Sequence, residues 1–185
     1  MGDRIKTAME KAMERAATFR EVPPEEIEKL ESVPIGRTIA ASFINNSGYD
    51  LEKALAETPP SSRKYILEGL EEVLLLNISL SDDNSSPDSL RRAMEGISII
   101  KKDKKRITSV LGELDVLLNY YRQTMEQARE KFRQEYEMQS RMQGARRGSN
   151  KMQEFREEWA AMIRQLNEKY EANLAQIKET IRSIN

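Results

Sequence analysis

Ile107-Thr-Ser-Val-Leu-Gly-Glu-Leu114-Asp-Val-Leu-Leu118-Asn-Tyr-Tyr121-Arg-Gln-Thr-Met125-Glu-Gln-Ala128 sets the architecture. Ile107, Leu111, Leu114, Leu118, Tyr121, Met125 and Ala128 recur at alternating steps of four and three. That rhythm places one apolar stripe on an α-helix and matches a heptad seam. Upstream the steps extend through Lys104, Ile100 and Ile97; downstream they run through Phe132, Glu135 and Gln139 to Met142. The pattern predicts one helix from Asp88 to about Met142, on the order of 80 Å long at the α-helical rise. Gly96 and Gly112 weaken it locally by about 1 kcal/mol each relative to Ala.

The chain beyond this helix falls into place around it. Gly144-Ala-Arg-Arg-Gly-Ser-Asn150 reads as a turn, and a last helix follows with the stripe Met152, Phe155, Trp159, Met162, Leu166, Tyr170, Leu174, Ile177, Ile181 and Ile184. Two amphipathic helices joined by a short Gly-containing loop predict an antiparallel coiled-coil hairpin over residues 88–185, turning near 144–150. All six prolines lie at or before Pro87, which removes the strongest helix breaker from the hairpin.

Residues 1–80 read instead as a small region of short helices. Ile5, Met9, Ala12, Met13, Ala16 and Phe19 give an apolar stripe over residues 4–20. Pro24 opens a second helix, expected to stop near Val33 because Pro34 disfavours α geometry in the residue before it. A third runs from about Gly36 to Asn45, and Asp50 caps a short one through Ala56. Ser61 or Ser62 caps the most apolar helix, through Asn77, with Tyr65, Ile66, Leu67, Leu70, Val73, Leu74 and Leu76 inward. Residues 81–87 form a polar linker. No stretch alternates with period two, so the fold class expected is all-α.

Composition narrows the chemistry. The 185 residues contain no Cys and no His. Disulfides, cysteine zinc sites, thiol nucleophiles, imidazole bases and histidine metal ligands are therefore excluded. No cofactor is expected. The longest apolar run, Val73-Leu-Leu-Leu76, is far short of a membrane span, and charges crowd the N-terminus where a signal peptide needs an apolar run. A cytoplasmic protein without membrane contact is the expectation. The near-neutral total hides an asymmetry: residues 1–87 carry 10 basic and 16 acidic side chains, residues 88–185 carry 20 and 15.

Two basic clusters are candidate polyanion contacts. Lys101, Lys102, Lys104, Lys105 and Arg106 form a collar, for which the plainer reading is solvation where the seam weakens. Arg141, Arg146, Arg147 and Lys151 gather at the hairpin tip, with no aromatic in the loop to stack a base. Asp82-Asp83-Asn84-Ser85-Ser86-Pro87-Asp88 is oxygen-rich but lacks the spacing of a calcium loop. Pro34-Ile-Gly-Arg-Thr38 offers a weak anion site at a helix start. Glu71-Glu72 and Glu157-Glu158 point apart on their helices.

The seam residues Ile107, Leu111, Leu114, Leu118, Tyr121, Met125, Phe132, Phe155, Trp159, Leu166 and Ile177 are the predicted coiled-coil interface. Extra apolar positions Ile99, Val110, Leu117 and Met138 widen the stripe of the first helix and point to a homodimer, with a monomeric three- or four-helix bundle, the N-terminal helices laid against the hairpin, as the competing explanation. The sequence therefore predicts a non-enzymatic interaction or scaffold protein that pairs with itself or another protein. The alternative is nucleic-acid association through the two basic clusters.

Overall fold

The computed structural model describes residues 7–9, 23–80, 87–143 and 149–185, with side chains outside 139–143 and 149–152. All regular structure among these is helical: α1 (Pro24–Asn45), α2 (Leu51–Ala56), α3 (Arg63–Leu76), α4 (Pro87–Ile100), α5 (Lys104–Gln143) and α6 (Ser149–Ser183). The stripe over residues 4–20 lies outside the described residues except at 7–9. So do most of the 81–87 linker and most of the 144–150 turn.

The most extensive packing joins α1 and α3. Its cause is a pair of glycines. A Cβ on Gly36 would sit 1.9 Å from the Ile66 carbonyl oxygen, and one on Gly69 would sit 2.1 Å from the Val33 carbonyl oxygen. The two backbones touch where side chains would hold them apart. Ser32, Gly36 and Ala40, four residues apart, put a strip of small buried residues on the contacting face of α1.

This contact overturns the expectation of two helices at 24–33 and 36–45. Pro34 lies inside one continuous α1. A proline within a helix removes a hydrogen bond and crowds the preceding turn, at a cost of about 3 kcal/mol. Close packing of Val33 and Gly36 on α3 flanks the proline on both sides and offsets that cost. The Thr38 hydroxyl also donates to the Pro34 carbonyl at 3.0 Å.

The short elements follow their caps. Asp50 Oδ1 accepts from the Lys53 amide at 2.9 Å and starts α2. Ser62 precedes α3 without a side-chain cap. The inward face of α3 is Tyr65, Ile66, Gly69, Leu70, Leu74 and Leu75. Leu76, expected inside, is 75% exposed.

The long helix expected over 88–142 is interrupted at 101–103, and the break changes the topology. Asp103 starts α5, its Oδ1 accepting from the Arg106 amide at 3.0 Å, while Lys104 Nζ caps the end of α4 by donating to the carbonyls of Ser98 and Ile99. Freed from α5, α4 turns onto α1, α2 and α3. Gly96 lets it approach, since a Cβ there would press on Leu74 and Phe43. Arg92, buried beneath, stacks over the Phe43 ring at 4.2 Å and donates to the carbonyls of Phe43 and Asn46 at the end of α1.

One hydrophobic cluster runs from Ala40, Phe43, Leu70 and Leu74 through Ala93 and Ile97 to Ile107, Leu114, Leu118 and Tyr121 of α5 and Leu174, Ile181 and Ile184 at the end of the chain. Each fully buried Leu or Ile contributes about 1.5–3 kcal/mol relative to exposure.

Two predictions follow from the α1–α3 contact, the first with Gly112 of α5 as its control. Gly36→Ala or Gly69→Ala forces backbone against Cβ and is expected to cost about 3 kcal/mol or more in urea unfolding. Gly112→Ala, with nothing within 4 Å of the new methyl, is expected to stabilise by up to about 1 kcal/mol. The second concerns Tyr65. Its hydroxyl donates to Glu25 Oε1 at 2.7 Å, and that bond, with burial and the charges of Glu25, Glu28 and Glu68, pushes its pKa from 10.0 up to about 12. The folded state favours the neutral phenol, so this contribution is complete below pH 10 and lost as pH rises through about 12. Tyrosinate absorbance should show one late step that Tyr65→Phe removes.

Candidate interaction surfaces

The basic collar does not form one patch. Lys101 is 6% exposed and points inward. Its Nζ donates to the Ile184 carbonyl at 2.7 Å and lies 2.9 Å from Glu71 Oε1, an ion pair. That oxygen is off the direction of a hydrogen bond and finds no other partner among the described residues. The Asp103 amide donates to the Asn185 carbonyl at 3.0 Å. The joint between α4 and α5 is thus tied to α3 and to the end of α6. Lys104 is committed to the end of α4, which leaves Lys102, Lys105 and Arg106 as exposed cations beside it.

The tip cluster is described only in part. Arg141 ends up in α5 and Lys151 in α6, while Arg146 and Arg147 lie outside the described residues. The acidic pairs separate as their spacing requires. Glu71 faces Lys101 and Glu72 pairs with Arg37 at 2.8 Å, while Glu157 accepts from Gln153 and Glu158 lines a groove. Residues 34–38 lie in mid-helix, so the backbone amides there are not those of a helix start. The oxygen-rich Asp82–Asp88 segment is described only from Pro87 on. No group of three Asp or Glu among the described residues is placed to hold a metal.

Along α5 and α6 the contacts run in opposite senses: Tyr121 meets Tyr170 edge-on with centroids 5.3 Å apart, and Phe132, eleven residues on, stacks on Phe155 at 3.9 Å. Polar groups bridge the same seam. The Tyr121 hydroxyl donates to Asn167 Oδ1 at 2.9 Å, and the hydroxyls of Thr124 and Tyr170 are 3.0 Å apart. Periodicity alone does not reveal these bridges, because the stripe counts Tyr121 and Tyr170 as apolar.

Burial falls along the pair. Ile107, Leu114, Leu118 and Tyr121 are buried; Leu111, Met125 and Phe132 are half-buried; beyond Tyr121 no described α5 side chain is buried. On α6, Phe155 and Leu174 are buried, while Trp159, Leu166 and Ile177 are half-buried. Past Tyr121 a groove of about 310 Å³ opens, lined by Ala128, Phe132 and Met162 together with Lys131, Glu135 and Glu158. Trp159 tilts against Phe132 at 4.6 Å. Of the positions that widened the stripe, Val110 is buried and Ile99 and Leu117 are half-buried in the chain's own core; Met138 is 59% exposed.

A family model matches residues 52–183, from α2 to the end of α6, and the chain belongs to that family, described as a family of unknown function (DUF6657). No curated protein and no solved structure matches the chain. No helix among the described residues is long and apolar enough to cross a membrane.

Removing the Lys101 ammonium leaves a buried carboxylate oxygen and a carbonyl unpaired. Lys101→Ala is expected to lower stability by about 2–4 kcal/mol. Lys101→Met with Glu71→Leu should recover most of that loss in urea unfolding, because the orphaned charge is gone.

Proposed function

We propose that the protein is a non-enzymatic interaction or scaffold protein, that α5 and α6 form an antiparallel coiled-coil hairpin, and that this arm is its working surface and joins two copies in the cytoplasm. The loss of burial on α5 beyond Tyr121, with Phe155 of α6 still buried against Phe132, carries the reading. From Ala128 outward, α5 and α6 make contacts with each other, yet Phe132 and Trp159 stay half-exposed and Met138 and Met162 are exposed. Two helices bury only one stripe each. Aromatic and Met side chains around an open groove are the residue types that anchor interfaces. Lys131 and Glu135, one turn apart in the groove's lining, suit a two-fold partner that sets each against the other's counterpart.

Solution mass and shape test this. An elongated dimer is expected, and Phe132→Ala with Met162→Glu should shift it to monomer without loss of helicity. A compact monomer at all concentrations overturns self-association.

Exposed Lys102, Lys105 and Arg106 favour a second reading, association with nucleic acid. It requires steeply salt-dependent binding that weakens when Arg146 and Arg147 become Glu. Binding unchanged by that pair removes the tip from this reading.

A further inference from the structure

Ser109, Gly112, Val116, Tyr120, Gln123 and Gln127 succeed one another at steps of three and four, so they share one face of α5. That face is turned away from Ile107, Leu114 and Leu118, which α5 buries in the core. All six residues are exposed, Val116 by 53% and Tyr120 by 62%. None is charged, although a third of the chain is. Depletion of charge around an aromatic residue marks the core of an interface.

Gly112 is the sharper signal. A glycine inside a helix costs about 1 kcal/mol relative to Ala. Gly36, Gly69 and Gly96 each admit a neighbouring helix of the same chain, where a Cβ would collide. A Cβ on Gly112 would meet nothing within 4 Å among the described residues. No contact described within the chain uses the gap it leaves.

We propose that this face binds a second copy of the chain, laid antiparallel about a two-fold axis through Val116. The face selects that partner because it carries both halves of each contact. Four residues before Val116 stands a gap, Gly112; four after it stands a knob, Tyr120. In the antiparallel pair each Tyr120 ring seats over Gly112 of the other copy, and Val116 meets Val116. Ser109 and Gln123, seven residues to either side of Val116, come opposite each other as hydrogen-bonding partners. Lys105 and Glu126, eleven residues before Val116 and ten after, lie on the same side of the stripe and are both exposed. The two-fold sets each beside the other's counterpart, so the ion pair forms twice. Such rim pairs set direction more than affinity. A parallel pair would set Tyr120 on Tyr120 and Lys105 on Lys105, and leave Gly112 facing Gly112. A helix of another protein would need only one half of each contact. This face is separate from the groove beside Phe132. It is a single stripe, so it forms at higher concentration than the groove's dimer and joins such dimers to one another.

The chain has no Cys, so Val116→Cys in the full chain reports on the axis without background. Mild oxidation should link two copies through it at least about tenfold faster than through Arg122→Cys, at a position exposed on another side of α5. With Val116→Cys present, Lys105→Glu and Glu126→Lys should each slow the link. An equimolar mixture of those two charge variants should restore it, because opposite charges then meet at both ends. Sedimentation over a range of concentrations separates this contact from the groove. Phe132→Ala with Met162→Glu should remove the first association step and keep the link at 116, whereas Val116→Glu should keep the first step and remove the second. A single step that Val116→Glu abolishes and the groove pair does not would retain this contact and discard the groove's. Equal linking at 116 and 122, or a slowed link that the mixture does not restore, overturns the inference. So does sedimentation of Val116→Glu that matches the unaltered chain at every concentration.

Discussion

A buried ammonium ties the molecule together. Lys101 Nζ reaches Glu71 on α3 and the Ile184 carbonyl past the end of α6, so one cation links the first part of the chain, the α4–α5 joint and the last residues. The lysine is costly to bury and costly to remove. Its desolvation is repaid only while both acceptors stay in reach, which makes the joint an arrangement that forms complete or not at all. The backbone bond from Asp103 to Asn185 secures it from the other side. Because these contacts join segments far apart in sequence, they set the direction in which α5 and α6 leave the core.

The second constraint is steric. Gly36 and Gly69 let α1 and α3 meet backbone to backbone, and the continuous run of α1 through Pro34 depends on that meeting. The proline forbids what the packing demands, and the packing wins. Arg92 closes the same region from α4, its guanidinium spent on two carbonyls at the end of α1 and on the Phe43 ring. A cation at a helix C-terminus is favoured by the backbone dipole, and here it also fastens α4 to α1.

The helical class was legible because the seam from Ile107 to Ala128 is long and regular, and Asp50 announced α2 through cap chemistry. The helix boundary expected at Pro34 is absent because the restriction before proline is local and a tertiary contact decides. The break at 101–103 is hidden for the opposite reason: the seam steps continue through Ile100, Lys104 and Ile107 and conceal a change of direction. The signal was present in Asp103, an N-cap residue three before Arg106, following a lysine pair suited to a helix end. Lys101 looks like surface charge in the sequence because a buried lysine depends on partners, Glu71 and Ile184, that lie 30 and 83 residues away. A groove between α1 and α3, with Leu30, Val33 and Pro34 in its lining, is equally hidden in the sequence, because Leu30 stands on a helix whose continuation through Pro34 the sequence argues against.

The polar bridges from Tyr121 to Asn167 and from Thr124 to Tyr170 have a mechanical meaning. Apolar heptad seams can slip by a turn under load, because one layer of side chains resembles the next. Hydrogen bonds at fixed partners cannot shift by a turn without leaving donors unmatched. Here the bolt sits at the root, where burial on α5 ends, and the layer beyond it is aromatic. Sliding α5 past α6 would have to break both bonds together, so the pair resists shear at its root, next to the joint at 101–103.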